Sequence, residues 1–152
     1  MANQNVLLES ILLPDSSLRR RVAKGLGAFK AKDKNLILES ERAKAGDSLD
    51  LDEAAREQFP EANRWDYLVS VPSKSYLIAI EPHSAKDSEV TSVIKKKQHA
   101  IRYLRDHLPA KHRVARWLWI SHARVAFSRM DKAIRLLDQH GILFVGRILK
   151  DL

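Results

Sequence analysis

Apolar positions are densest between residues 65 and 80, where two short runs rich in aromatic and β-branched side chains flank a polar turn. Residues 65–71 and residues 75–80 are typical of strands, and the VPSKS sequence that joins them favours a turn. Because this connection is short, the two runs are predicted to pair as an antiparallel hairpin.

The apolar period becomes helical after the hairpin. At about 100° per residue, the apolar side chains of residues 90–108 form one arc, and the segment ends before Pro109. Lys97 falls near the middle of that arc, whereas Lys95 and Lys96 fall on the wetter side. A long helix is therefore predicted in which Lys97 faces the sheet and either pairs with a carboxylate or extends past its neighbours to water. The arc comprises Val90, Val93, Ile94, Ile101, Leu104 and Leu108.

The remainder of the second half alternates between strand and helix. Residues 113–121 match a strand covered on both sides, and residues 129–139 match a helix with Ser128 as its N-cap. Gly141 lies where a helix commonly ends, and residues 142–149 are predicted to form a final strand.

The first half gives weaker signals. A helix is predicted over residues 18–30 although its glycines weaken it, and residues 35–40 fit either a strand or a helical turn. Residues 52–59 are predicted to form a short acidic helix that stops at a proline, within a region, 41–64, that is otherwise the most loop-like. The candidate N-caps of the two helices are Ser16 or Ser17, and Asp50 or Asp52.

Strands that alternate with helices, with a hairpin added, predict an α/β fold with a central mixed sheet flanked by helices. At 152 residues the chain is predicted to form one domain, with a helical part at about 1–63 and a core at about 64–152. No cysteine, no apolar run of membrane-spanning length and no basic signal-peptide start are present. We therefore expect a cytoplasmic protein with no membrane partner.

Charge is distributed unevenly along the chain. Residues 1–89 contain 13 Lys and Arg against 15 Asp and Glu, whereas residues 90–152 contain 14 against 4. A basic second half predicts a polyanionic partner, although a solvated basic surface is the alternative. The expected contacts with nucleic acid are Lys95, Lys96, Arg102 and Arg105.

Two acids are predicted to lie at the same end of the hairpin. Asp66 opens the first strand and Glu81 closes the second, so their carboxylates are candidates to share one divalent cation that activates water and stabilises charge on a phosphate. His83 lies two residues after Glu81 and therefore on the same side of the strand, where it would act as a ligand, base or hydrogen-bond donor. The alternative is that Asp66 caps the strand and Glu81 forms an ordinary surface ion pair.

Residues 64–121 resemble the PD-(D/E)XK nuclease superfamily, which has the restriction-endonuclease-like fold. That family places an acid at the start of one strand and an acid–x–lysine on the next, followed by a helix and a further strand. Asp66 in RWDYLV and Glu81 in AIEPH match the two acids, whereas His83 occupies the lysine position. Some family members carry the lysine or glutamine on the following helix, as Lys97 and Gln98 would here.

The resemblance implies a nuclease that cleaves DNA or RNA with Mg²⁺, or alternatively Mn²⁺, and that often dimerises. Asp66 and Glu81 would hold the metal, Lys97 would stabilise the phosphate or position water, and His83 would assist. A further acid would come from the N-terminal region, where the candidates are Glu39, Glu41 and Glu53. Because the motif lysine is replaced, a non-catalytic binding module on the same fold and a protein–protein adaptor remain alternatives.

Overall fold

The computed structural model describes residues 6–152, which are organised around a six-stranded mixed sheet. The first four strands pair with one another in antiparallel fashion, and the last two strands extend the sheet parallel to the fourth. The predicted α/β class and mixed sheet are therefore confirmed. In sheet order, which is also chain order, the strands are β1 (Ala23–Lys24), β2 (Asp47–Asp50), β3 (Tyr67–Val71), β4 (Tyr76–Pro82), β5 (Val114–Ile120) and β6 (Ile142–Phe144).

Most of the helices are short, and the two longest follow β4 and β5. Three single turns of 3₁₀ helix cover Ser17–Arg21, Pro72–Lys74 and Asp87–Glu89. No helix within residues 6–152 is both long and apolar enough to cross a membrane. The α-helices are α1 (Leu8–Ile11), α2 (Ala31–Lys34), α3 (Glu39–Arg42), α4 (Leu51–Arg56), α5 (Val90–Leu104) and α6 (Met130–Gln139).

The predicted hairpin is formed by β3 and β4, with Tyr67 opposite Ile80 and Val71 opposite Tyr76. Its connection is the 3₁₀ turn Pro72–Lys74, followed by Ser75 in the left-handed region at φ 54°. Trp65 and Asp66 precede β3 rather than belonging to it. The local turn signals were thus sufficient to predict the pairing.

The two faces of the sheet bury separate apolar clusters. Leu77, Ala79 and Trp119 lie on the face covered by α1, α5 and α6, whereas Ile78 and Leu118 point to the opposite face. Residues from the segment 26–37 and from the C-terminus cover that second face. The prediction of a β5 strand covered on both sides is therefore confirmed.

The predicted helix over residues 18–30 is wrong. Ser16 accepts a hydrogen bond from the Leu18 amide as the N-cap prediction required, but only the 3₁₀ turn Ser17–Arg21 follows. The two residues of β1 then pair with β2, and Gly25, directly after β1, adopts φ 53° and donates its amide to Gly46 O, so a short strand and a turn replace the predicted helix. Glycine favours this conformation because it has no Cβ.

Strand β2 lies in the region that the sequence predicted to be loop-like. Two of its three buried positions are polar, so the strand carries no apolar pattern. Asp47 and Ser48 are buried, and the Asp47 carboxylate accepts hydrogen bonds from the Leu8 and Glu9 amides and from Ser70 Oγ. Hydrogen bonds thus offset the cost of burying a polar strand. The neighbouring acidic helix is confirmed as α4, with Asp50 as the N-cap residue.

The elements of the second half differ from the prediction in three respects. Ser128 does not cap α6 through its side chain; its amide instead donates to the carboxylate of Asp87, 3.1 Å from Oδ2. Gly141 adopts φ 67° after α6, as its position predicted. The final strand β6 has three residues rather than eight. Similarly, α5 ends at Leu104 instead of continuing to residue 108.

Candidate active site

Asp66 and Glu81 face each other across the open end of the hairpin. The pairing of Tyr67 with Ile80 places the preceding residue, Asp66, opposite the following one, Glu81. The Asp66 amide also donates to Glu81 Oε1 at 2.9 Å. The sequence correctly predicted that the two acids share one end of the hairpin.

A lysine from α5 joins the two acids, and it is Lys96. Its Nζ lies 2.6 Å from Glu81 Oε2 and 3.9 Å from Asp66 Oδ1. The Glu81 side chain is fully buried and that of Lys96 is 16% exposed, so the ion pair is largely shielded from solvent. The prediction that Lys97 forms this contact is wrong.

The helical wheel selected the wrong lysine because the buried arc of α5 is rotated from the predicted one. Ile101 is 38% exposed, whereas Ala100 and Tyr103 are buried. Because Ala100 and Tyr103 are buried, the buried face of α5 extends to the side that carries Lys96. This side of the helix faces the end of β4. The buried residues of α5 are Val90, Val93, Ile94, Ala100, Tyr103 and Leu104.

Lys97 also lies within the buried arc of α5, but its side chain extends to the C-terminal end of α6. Its ammonium donates to the backbone carbonyl of His140, directly after α6, and lies 5.4 Å from the centroid of the Trp117 ring. Burial lowers the pKa of Lys97. These contacts connect α5, α6 and β5, and they leave Lys97 with no contact to Asp66 or Glu81 within the described residues.

His83 lies beside Glu81, as the two-residue strand spacing predicted. Its Nδ1 is 3.4 Å from Glu81 Oε2, and its Nε2 is 2.7 Å from Glu89 Oε2. The His83 carbonyl also accepts a hydrogen bond from Trp119 Nε1 at 3.0 Å. Both ring nitrogens therefore face carboxylate oxygens, which favours the doubly protonated imidazolium.

The electrostatics of the site follow from burial and from the closeness of like charges. Burial, reinforced by the negative charge of Glu81 and opposed by Lys96, raises the pKa of Asp66 to about 8. Burial opposes the charge on Lys96, but the Glu81 and Asp66 carboxylates outweigh it, so the Lys96 pKa is raised. The hydrogen bond to Glu81 raises the pKa of His83, and the hydrogen bond from His83 lowers that of Glu89.

The donor chemistry fits one hard cation with few protein ligands. Asp66 is 26% exposed and its carboxylate accepts no hydrogen bond from residues 6–152, so its oxygens are free to coordinate. A cation between Asp66 and Glu81 would relieve the like-charge repulsion that raises the Asp66 pKa. No group of three or more histidine and acidic side chains in the described chain is arranged to hold a metal, so water and substrate would complete the coordination.

None of the acids predicted to come from the N-terminal region contacts the site. Glu41 binds Lys44 and the Leu152 amide, Glu53 pairs with Arg56, and Glu39 is exposed. A different acid, Asp52 of α4, acts on the site instead, since its charge helps to raise the Asp66 pKa.

The sequence also missed the role of two residues that support the site. Asp52 is bound to Arg64 at 2.9 Å, and the Asp66 carbonyl accepts a hydrogen bond from the Leu51 amide at the start of α4. Glu89 holds the outer ring nitrogen of His83. No local pattern indicated either residue: Asp52 comes from the helix before the hairpin, and Glu89 lies on the loop six residues after His83.

The four predicted nucleic-acid contacts fall into two groups in the structure, exposed cations and one lysine that is already paired. Lys95 and Arg102 are exposed on α5 and Arg105 is exposed directly after it, whereas Lys96 pairs with the two carboxylates. No protein-family model, curated protein or solved structure matches this chain. The geometry of the site is therefore what indicates a function for this chain.

Proposed function

We propose that this protein is a metal-dependent nuclease with a restriction-endonuclease-like fold, and that it cleaves phosphodiester bonds in DNA or RNA. The observation that carries the proposal is that one ammonium group, Lys96 Nζ, contacts the carboxylates of Asp66 and Glu81 at the open end of a hairpin. This is the set of groups that the PD-(D/E)XK resemblance requires, with the lysine supplied by the helix.

The order of elements around the site supports the proposal. Strands β2, β3 and β4 are antiparallel, α5 then crosses over, and β5 lies parallel to β4. The family likewise places one acid at the start of a strand, the second acid on the next strand, and then a helix and a further strand. Asp66 and Glu81 occupy the matching positions.

The chain's own residues have distinct roles in the proposed reaction. Asp66 and Glu81 would hold a Mg²⁺ or Mn²⁺ ion, which when bound supplies positive charge for the phosphate and activates water. Lys96 neutralises Glu81 in the resting site and would stabilise negative charge that develops on the phosphate. His83, fixed by Glu89, adds a second positive group beside the same Glu81 oxygen.

A non-catalytic nucleic-acid-binding module is the second candidate function. It is favoured by the replacement of the motif lysine by His83 and by the engagement of both Glu81 oxygens in contacts with neighbouring residues. In that case Asp66, Glu81, Lys96 and His83 would form a structural network whose positive and negative charges offset one another. The basic second half would still bind phosphates.

Metal binding and cleavage together separate these two functions. Wild-type protein, Asp66→Asn and Glu81→Gln are titrated with Mg²⁺ and Mn²⁺ by calorimetry and assayed on labelled DNA and RNA. The nuclease proposal predicts metal binding and cleavage by the wild type and loss of both in the variants, with nucleic-acid binding retained. Binding to nucleic acid without any cleavage by the wild type would favour the binding module.

A further inference from the structure

We propose that the phosphate backbone of the nucleic acid is held by a basic rim on the loops that leave β4, β5 and β6 beside the acids. We define the basic rim as Lys86, His122, Arg124 and Arg147, all of which are exposed. The inference rests on the proposed function, because it takes the Asp66–Glu81 end of the sheet as the place where a phosphodiester binds.

The three loops begin at the same end of the sheet, where the parallel strands β4, β5 and β6 finish. Glu81 and Pro82 end β4 opposite Trp119 and Ile120 of β5, and the His83 amide donates to Ile120 O at 3.0 Å. One residue later, the Ser121 amide donates to Gly146 O at 2.7 Å. Ligands of open α/β sheets bind at the carboxyl ends of parallel strands, so these loops flank the expected substrate position.

Hydrogen bonds connect the loops to one another. The segment after β4 pairs with the segment after β5 through a parallel bridge between Lys86 and Ala126. The Asp87 carboxylate accepts a hydrogen bond from the Ser128 amide, and Ser121 Oγ donates to Ala123 O at 2.6 Å. The cations of the rim are therefore presented by a backbone that is largely fixed before binding, which limits the entropy lost on binding.

The rim also has the charge expected of a phosphate-binding surface. Residues 121–129 contain Arg124 and Arg129 and no acid, and residues 145–150 contain Arg147 and Lys150 and no acid. Within the described chain, neither Arg124 nor Arg147 forms an ion pair with a carboxylate, whereas Arg64 and Lys44 do. These two arginines are consequently available to phosphates, which arginine binds through two parallel hydrogen bonds.

The two arginines that the sequence analysis selected, Arg102 near the end of α5 and Arg105 directly after it, lie away from the acids along the helix axis. Arg102 and Arg105 are six and nine residues beyond Lys96, which corresponds to about 9 Å and about 14 Å along a helix axis. α5 runs from the carboxyl end of β4 toward the start of β5. Residues near its C-terminus therefore lie further from the end of the sheet that carries Asp66 and Glu81.

Binding assays with charge-matched double variants test this inference. All proteins carry Asp66→Asn so that no substrate is cleaved, and the probes are a labelled DNA duplex and a labelled single-stranded RNA. The rim variant is Arg124→Ala with Arg147→Ala. The control is Lys111→Ala with Arg113→Ala, two exposed cations before the start of β5. The competitor is Arg102→Ala with Arg105→Ala on α5.

We expect the rim variant to bind the preferred probe about tenfold or more weakly at low salt, with a salt slope reduced by about 2, because two phosphate contacts are lost. The control, which removes the same charge, is expected to change affinity less than about threefold. Circular dichroism verifies that each exposed double variant remains folded. The probe that binds more tightly identifies the nucleic acid.

Three results would overturn the inference. They are an equal loss of affinity in the rim variant and the control, a larger loss in the Arg102 and Arg105 variant than in the rim variant, or no binding of either probe at low salt by the protein that carries Asp66→Asn alone. The proposed nuclease activity fails separately, by absence of cleavage in the wild type with Mg²⁺ and Mn²⁺. The binding comparison remains decisive for the rim in that case.

Discussion

Lys96 Nζ lies 2.6 Å from Oε2 of Glu81, and this contact attaches the middle of α5 to the end of β4. The Glu81 side chain is completely buried, so its charge requires a partner. The Asp66 amide and the His83 ring supply two further polar contacts to the same carboxylate. One buried acid therefore organises the whole candidate site.

Removal of Lys96 is expected to destabilise the fold, because it leaves a buried carboxylate without its main counter-charge. Lys96→Met should lower the free energy of unfolding by about 3 kcal/mol, measured by urea denaturation of metal-free protein. The exposed neighbour provides the control, since Lys95→Met should change stability by less than about 0.5 kcal/mol. Adding Glu81→Gln to Lys96→Met should recover part of the loss; a strictly additive further loss would show that the two side chains are not coupled.

Lys97 is expected to act in stability and not in chemistry. Its ammonium binds the His140 carbonyl at the C-terminal end of α6, where positive charge is favourable. Lys97→Met should reduce unfolding free energy by about 1–2 kcal/mol while the cleavage rate well below the melting temperature stays within about twofold of wild type. A large loss of cleavage activity in folded Lys97→Met would contradict this prediction and would indicate that Lys97 takes part in the reaction.

The hairpin and both of its acids were predictable from the sequence because their signals are local. Turn residues, β-branched strands and the positions of Asp66 and Glu81 lie within residues 65–81. Strand β2 was not predictable, because buried Asp47 and Ser48 are satisfied by hydrogen bonds from distant segments. A polar strand of this kind carries no apolar alternation.

The choice between neighbouring lysines also depended on tertiary packing. Phe59, which follows α4, packs at right angles to the Tyr103 ring with centroids 6.0 Å apart. That contact helps to bury the Tyr103 side of α5 and leaves Ile101 exposed. A helical wheel based on hydropathy alone places Ile101 on the buried face of α5 and leaves Tyr103 off it. The wheel therefore favoured Lys97 over Lys96.

The stability of the metal-free protein is expected to fall between about pH 5 and pH 8 because of Asp66. Burial raises the pKa of Asp66 from 3.8 to about 8, so the folded state retains a proton that the unfolded state has lost over this range. Unfolding free energy therefore decreases as pH rises. Asp66→Asn should flatten this pH dependence and raise the melting temperature at pH 8 by about 2–4 °C or more. If the unfolding free energies of the wild type and Asp66→Asn change with pH in the same way, the pKa of Asp66 is not raised by burial.

Bound metal is expected to stabilise the protein through the same pair of acids. At pH 8, Mg²⁺ at about 100 times its dissociation constant should increase unfolding free energy by about 2.7 kcal/mol. Differential scanning fluorimetry of wild type, Asp66→Asn and Glu81→Gln checks this without any activity assay. Equal stabilisation of all three proteins would place the metal elsewhere.

The central claim is that Lys96, Asp66 and Glu81 form a nuclease site, and comparison of three adjacent lysines tests it most directly. Cleavage of labelled DNA and RNA with Mg²⁺ or Mn²⁺ is measured for wild type, Lys95→Met, Lys96→Met and Lys97→Met at a temperature where all are folded. We predict a loss of about 100-fold or more in Lys96→Met alone, because only this lysine contacts the acids. Lys97→Met controls for lost stability. Cleavage by Lys96→Met at the wild-type rate, or no cleavage by the wild type with either metal, would contradict the claim.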